Sequence, residues 1–410
     1  MNGFQTKKLI DLCSKIGSGA TPRGGKETYL NHGHIFLIRS QNVLDFFFSL
    51  DGGVFISEEQ ARLLNNVIVQ KDDVLINITG DSVARVCSVP GYINEARVNQ
   101  HVAILRCNPL ILSSMFLKYY LLQPQVKSLL LTLSSAGATR KALTKGVLEN
   151  FEIDLPPLHL QQRIAAILSA LDDKIELNRK MNYTLEEIFQ ACYKHHFVDD
   201  MDLENLPKGW EIATLGNHID TISKTHKFPK PKIIFLNTSD VLDGFVLHSN
   251  YSEAESLPGQ AKKSIRYGDI LYSEIRPENR RFAFINFNAD DYVVSTKLMV
   301  LRSKKEIDSI FFYFLLTRPN IIKDLHNLAE ARSGTFPQIT FEQINEIKFI
   351  LPDGKFLHEF IDEFLHPTYN LVFLNNVENQ RLISIRNTLL PKLISGELIP
   401  SDLQPIEQAI

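Results

Sequence analysis

The sequence predicts an α+β protein: two similar mixed α/β globular domains separated by two long helices, which form an antiparallel intramolecular coiled coil with pseudo-two-fold symmetry. Three observations carry that expectation. A block near residues 71–182 recurs about 196 residues later, near 267–379. Within each block, short β-rich segments alternate with turns marked by Gly and Pro. After each block, apolar residues step by four and three along a helix-forming run. A chain of 410 residues also exceeds one ordinary core, so several domains are expected.

The first module opens with Lys7–Ile16, whose Leu9, Leu12 and Ile16 share a helical face and predict a short helix. Residues 17–26 hold too much Gly and Pro for regular structure, so they form a loop. This loop carries hydroxyls, backbone donors, Arg23 and Lys26, which suit a phosphate backbone or an ordinary surface. It lacks the Walker pattern. Ile35–Arg39 reads as a strand closed by Ser40-Gln41-Asn42, and Gln and Asn are side chains that suit adenine edges. Asp73–Ile78 reads as a buried strand, followed by β-rich segments at 84–89 and 98–105 that suggest a curved sheet or small barrel. An aromatic-leucine helix at Phe116–Leu122 and a Gly/Thr segment at 134–150 complete the module.

The second module restarts at Trp210–Gly216, matching the region of Leu9. Residues 224–232 are strongly basic with two prolines, either a contact for a polyanion or a solubilising loop. Ile234-Phe235-Leu236 matches Ile35-Phe36-Leu37 at a lag of 199, with Ser239 matching Ser40. Asp269-Ile270-Leu271 matches Asp73-Val74-Leu75 at 196, as do Thr335 with Thr139 and Leu351-Pro352 with Leu155-Pro156. So constant a lag implies duplicated architecture. Tyr272–Arg281 nevertheless differs from Ile76–Asp81, whose place it takes, so the framework repeats while the polar loops change.

A helix is expected from His159 to about His196, with a seam through Ile164, Leu168, Leu171, Ile175, Asn178, Asn182, Leu185, Phe189 and Cys192. The second seam runs through Leu371, Asn375, Glu378, Leu382, Ile385, Leu389 and Lys392, with Pro367 kinking or starting its straight part. Asn178 and Asn182 correspond to Asn375 and Asn379 at a lag of 197, and seam asparagines fix helix alignment at some cost in stability. A seam of about 37 residues would span roughly 55 Å and hold the two modules at a fixed distance. The alternative is that each helix packs only on its own module.

Composition limits the function. Net charge is −3, yet residues 1–155 carry 16 Lys/Arg against 13 Asp/Glu, while 351–410 carry 4 against 8. This permits a positive face on the first module without requiring one. Four scattered cysteines suggest a reducing compartment and no zinc site. No signal peptide or membrane span is read, so the cytoplasm is expected. No hydrolase elbow, HExxH, EF-hand or Walker box appears. His195-His196 beside Asp199-Asp200 is read as a solvated helix end rather than a metal site, and Asp72-Asp73 and Asp290-Asp291 as turn residues rather than nuclease carboxylates.

Taken together, these residues closely resemble the DNA-specificity subunits of type I restriction-modification systems. The duplicated segments at Asp73–Leu75 and Asp269–Leu271 carry the likeness, with Leu155-Pro156-Pro157-Leu158-His159-Leu160-Gln161-Gln162-Arg163-Ile164, Leu171–Ile175 and the Leu389–Leu398 tail. It covers essentially the whole chain. One departure is Asp353-Gly354, where the first junction has Pro157-Leu158.

The resemblance implies target-recognition domains at 1–155 and 201–352, a central helix at 156–200, a C-terminal helix at 353–400 and a tail at 401–410. It implies that each recognition domain reads one half of a split, asymmetric site in double-stranded DNA. It further implies docking of two methyltransferase subunits, which carry S-adenosylmethionine and methylate adenine N6, and two ATP-driven restriction/translocase subunits. The chain itself would hold no catalytic site, cofactor or metal. Charge and loop position then nominate Arg23, Lys26, Arg39, Gln41 and Asn42 in the first module for DNA contact. In the second they nominate Lys224, Lys227, Lys230, Lys232, Arg276, Arg280 and Arg281. The competing reading is a protein–protein scaffold with no DNA readout.

Overall fold

A computed structural model describes residues 4–135, 141–199, 202–222, 231–259, 261–304 and 307–400. The chain divides into two compact units, one made of residues up to Asn178 with those from Glu378 onward, the other of Arg179–Val377.

In the first unit the strands are β1 (Gln5–Lys8), β2 (Cys13–Ser18), β3 (Ile35–Ile38), β4 (Val54–Ile56), β5 (Val74–Asn77), β6 (Val86–Ser88), β7 (Ala96–Val98), β8 (Val102–Cys107) and β9 (Glu152–Leu155). The expected opening helix is only one turn, α1 (Leu9–Leu12), between β1 and β2. Its apolar spacing is real, since Leu9 and Leu12 are fully buried. Pairing of β1 with β9 and of β2 with β8 claims the flanking residues for sheets. Two sheets follow, in the orders β2-β8-β5-β6 and β4-β3-β7, with β3 and β7 parallel. After α2 (Glu58–Arg62) comes α3 (Ser114–Leu122), which starts where the Ser113 hydroxyl accepts from the Phe116 amide. It buries Phe116, Tyr119 and Leu121 against β5 and β6. Then come α4 (Pro124–Ser135), α5 (Lys145–Glu149) and α6 (Leu158–Phe197), a helix of 40 residues.

The second unit repeats this plan with β10 (Glu211–Thr214), β11 (Ile219–Thr221), β12 (Lys232–Leu236), β13 (Val241–Leu242), β14 (Phe245–Val246), β15 (Tyr251–Glu253), β16 (Ala261–Ser264), β17 (Ile270–Ser273), β18 (Phe282–Phe284), β19 (Tyr292–Ser295), β20 (Leu298–Ser303) and β21 (Lys348–Leu351). The order β11-β20-β17-β18 mirrors β2-β8-β5-β6, and β12 runs parallel to β19 as β3 does to β7. The helices are α7 (Ser309–Leu316), α8 (Pro319–Arg332), α9 (Phe341–Asn345), α10 (Gly354–Phe360) and α11 (His366–Ser395). Asp353 departs from the first junction's proline because it caps α10, accepting from the Lys355 and Phe356 amides at 3.0 and 3.2 Å. A π turn at Ile361–Leu365 precedes Pro367, whose ring nitrogen has no proton for a helical bond.

Equivalence holds at the level of single hydrogen bonds. Val74 pairs with Leu105 and Ile270 with Leu301, both displaced by 196. Around β3 the lag is 198, not the expected 199. Phe36 pairs with Ala96 and Ile234 with Tyr292, and the Arg39 amide donates to Asn42 as the Asn237 amide donates to Asp240. Ser40 therefore corresponds to Thr238. The identical Ile-Phe-Leu letters mislead by one residue, and one residue along a strand exchanges its faces.

The Asp of each duplicated motif is no turn residue. Asp73 is buried and clasped side-on by Arg106, both bonds 2.8 Å, while its carboxylate also accepts from the Gln70 amide. Asp269 repeats this with Arg302, at 2.7 and 2.8 Å, and the Arg266 amide. The bond to Asp269 raises the Arg302 pKa against the opposing effect of burial. Residues 72 and 268, one position earlier, both take left-handed backbone (φ 67 and 83). Replacing one member of a buried, bidentate pair strands the other. Asp269→Asn, or Asp73→Asn, is expected to cost about 3 kcal/mol in urea unfolding of the full chain; a loss below about 1 kcal/mol would show the clasp to be dispensable.

Candidate nucleic-acid interface

In each module the ends of the β5–β6 or β17–β18 hairpin meet the segment before β8 or β20 and the strand-like segment that precedes α5 or α9. The Ile78 amide donates to His101 O and the Leu143 amide to Ile78 O, both at 2.8–2.9 Å. Glu274 to Lys297 and Ile339 to Glu274 repeat them at 2.9–3.0 Å. The left-handed positions recur too: Gly80 and Ala84 (φ 76 and 64) against Arg276 and Arg280 (φ 42 and 52). An arginine held where the other copy uses glycine is backbone strain, of the kind that collects at binding sites.

On this frame the side chains differ. In the first module Thr79 Oγ1 lies 2.5 Å from His101 Nδ1, and Gln100 Nε2 lies 2.8 Å from His101 Nε2. In the second, Lys297 Nζ donates to Glu274 and Gln338, each at 3.1 Å. Beside it Phe336 is 68% exposed, although its amide is held by Ser333 Oγ at 3.1 Å. Letters alone did not nominate these residues; the usable signal was altered chemistry at a fixed lag.

Several nominated residues are spent on structure. Asn42 is fully buried, its amide donating to Ser49 O and Asp51 O, so it cannot reach a base. Gln41 donates to Asp51 O and Gly52 O, and Arg39 to Gly52 O while its guanidinium lies over Tyr29. These three clamp one loop. Arg280 is held by Asp243 and Glu186, two carboxylates that neutralise it, so it is no free phosphate grip. Arg281 is half-buried and donates to Ser239 O and Val241 O. Lys232 makes an exposed pair with Glu253 at 3.5 Å, which binds it weakly. Arg23 and Lys26 are exposed on the Gly-rich loop, and Arg276 is exposed at its left-handed turn. Among the described residues none of these three has a side-chain ion pair. Lys224, Lys227, Lys230 and the tail 401–410 lie outside the described residues.

The long helices carry polar seams in each unit. In the first, Asn178 Nδ2 donates to Glu378 at 2.8 Å and to Asn379 at 3.0 Å, and Asn178 and Lys174 together lower the Glu378 pKa. Asp172 there gathers Lys118, Tyr119 and Arg386, at 2.9, 2.7 and 2.8 Å. In the second unit Asn375 donates to Asn182 at 2.8 Å. The expected second seam is displaced. Leu371 and Ile385 are exposed, whereas Asn379, Arg386, Leu390 and Leu393 are buried. Polar groups satisfied by Asn178 and Asp172 take places that hydropathy assigns to their apolar neighbours.

His196 sits edge-on to Phe356 and Phe360, and among the described residues no group of three or more His, Cys, Asp or Glu could hold a metal. No helix among them is long and apolar enough to cross a membrane.

A duplicated backbone frame with unlike polar rims defines a two-module recognition protein. The sequence matches the family described as the type I restriction modification DNA specificity domain twice, over residues 1–187 and 207–382, and the chain belongs to that family. It is a specificity chain, not a catalytic one. It is 33% identical to a putative type I restriction enzyme MjaX specificity subunit of Methanocaldococcus jannaschii, over 96% of this chain and 93% of that one. It is 41% identical to the type I restriction enzyme HindI specificity subunit of Haemophilus influenzae, over only 44% of this chain and 39% of that one. The crystal structure of a type I restriction-modification S subunit from M. genitalium shares the fold, with a TM-score of 0.58, 17% identity and 96% of both chains covered.

Three outcomes are expected from this geometry. Arg276→Gly keeps the left-handed turn and removes a free cation; if that cation meets phosphate, the salt slope of DNA binding falls by about 1. Arg280→Ala should instead lower the melting temperature, because it strands Asp243 and Glu186. Burial and the neighbouring His195 lower the His196 pKa. The folded chain then holds fewer protons than the unfolded one below an unfolded value of about 6.5. Stability is thus present above that pH and lost as pH falls through the lowered folded pKa. His196→Phe should flatten that part of a stability–pH curve.

Proposed function

We propose that this chain reads a bipartite, asymmetric DNA sequence, one half-site per module, within a type I restriction-modification complex. The observation that carries this is the pair of frames matched bond for bond whose exposed polar side chains differ. A duplicated scaffold with different rims suits two different short sequences. Arg23, Lys26 and Arg276 supply phosphate contacts that position without specifying. Lys224, Lys227 and Lys230 belong to the same reading through the basic character of their segment.

The long helices set the gap between half-sites and dock two methyltransferase subunits, to which two restriction/translocase subunits are added. Adenine N6 methylation and ATP-dependent cleavage belong to those partners, and the complex works in the cytoplasm. The bonds of Asn178 with Asn379 and of Asn182 with Asn375 hold the helix register. Large apolar side chains left exposed on the helices, among them Leu177 and Ile385 in one unit and Leu371 and Leu374 in the other, suit partner docking.

Exchanging residues 1–155 for the first module of another family member should change one half of the methylated sequence and leave the other intact. Methylation profiling of the reconstituted complex reads this, and changes in both halves would sink the modular reading. Lengthening the helices by whole turns should alter only the gap. A chain that binds methyltransferase but shows no sequence preference would instead be a protein scaffold.

A further inference from the structure

We infer that the side chains discriminating bases in the second module are Glu274, Lys297 and Gln338, and that Thr79, Gln100 and His101 take that part in the first. The inference rests on the DNA reading proposed above and names which residues perform it.

The argument begins from equivalence. Residues 78, 101, 142 and 143 superimpose in hydrogen bonding on 274, 297, 338 and 339, through Ile78 to His101, Leu143 to Ile78, and the bridges of Thr79 with Ala142 and Ile275 with Gln338. A frame so closely kept presents its side chains at the same places in both copies. Yet one copy carries Ile78, His101 and Ala142 where the other carries Glu274, Lys297 and Gln338. A purely structural role would favour keeping the side chains along with the frame.

The chemistry also fits. Lys297 has three ammonium protons and uses two, on Glu274 and Gln338, leaving one for a guanine O6 or N7. Glu274 keeps acceptor capacity for a cytosine or adenine amino group, and the Gln338 amide keeps its donors. Lys297 is 43% exposed and Glu274 22%, so the group is reachable yet held in place by its own bonds. Arg276, two residues from Glu274, can grip phosphate alongside. In the first module the set holds neither a carboxylate nor an ammonium group. Both ring nitrogens of His101 are engaged, Nδ1 with Thr79 Oγ1 and Nε2 with the Gln100 amide. The two modules therefore offer different hydrogen-bond patterns from one frame.

The test uses the full chain assembled with its methyltransferase, on a DNA library randomised in both half-sites. Lys297→Gln, Glu274→Gln and Gln338→Ala should each change base preference about tenfold at one or two positions of a single half-site, the size of one base-edge contact. His101→Gln should do so only in the other half-site. Folded variants that keep the parent's preference, or lose methylation equally on all sequences, would overturn the assignment while a parent with two half-sites upholds DNA reading. A parent with no preference at all would overturn both.

Discussion

A carboxylate clasped side-on by a guanidinium anchors each module. Asp73 stands just before β5, Arg106 lies on β8, and the main-chain carbonyl of Asp73 accepts from Val89, just beyond β6. Asp269, Arg302 and Ile285 do the same for β17, β20 and β18. One residue thus links three strands and a turn. Burying a carboxylate is costly unless its lone pairs are filled, and here two guanidinium bonds and an amide fill them. Its contribution is to register: a slip of one residue would leave the pair unmade. The polar rim lies only a few residues along the same strands, so its geometry inherits that register.

The rim shows how charge is distributed in such a module. Of the seven nominated cations among the described residues, three serve the structure around them. Arg39 closes the loop at Gly52, Arg281 staples Ser239 and Val241, and Arg280 joins Asp243 to Glu186. Ion pairs that rigidify a loop remove its charges from phosphate binding but hold the remaining side chains still, which lowers the ordering cost of recognition. A positive residue in a loop is therefore a poor guide to a binding residue until its partners are known.

The helices use the same economy. Asp172 collects Lys118, Tyr119 and Arg386 from other elements of its unit, and burial with the nearby carboxylate raises the Tyr119 pKa. Polar seams of this kind are weaker than a leucine stripe but tolerate few alternative alignments. Leu177, Leu371 and Leu374 nevertheless stay exposed on the same helices.

The duplication, the strand segments at Asp73 and Asp269 and the long helix after Pro157 were legible in the letters, because periodicity and a constant lag are local or pairwise properties of a sequence. Other features needed the fold. Lys7–Ile16 has helical spacing but became two strands and a turn, since β8 and β9 supplied partners. The lag around β3 is 198 because backbone pairing, not letter identity, sets equivalence. Asn42 reads as a base contact and is a buried loop brace; Asp73 reads as a turn and is a buried anchor. Sequence by itself determined the repeat, the long helices and the family likeness. Tertiary structure alone decided which polar side chains are satisfied internally and which face outward, because that depends on hydrogen-bond partners distant along the chain.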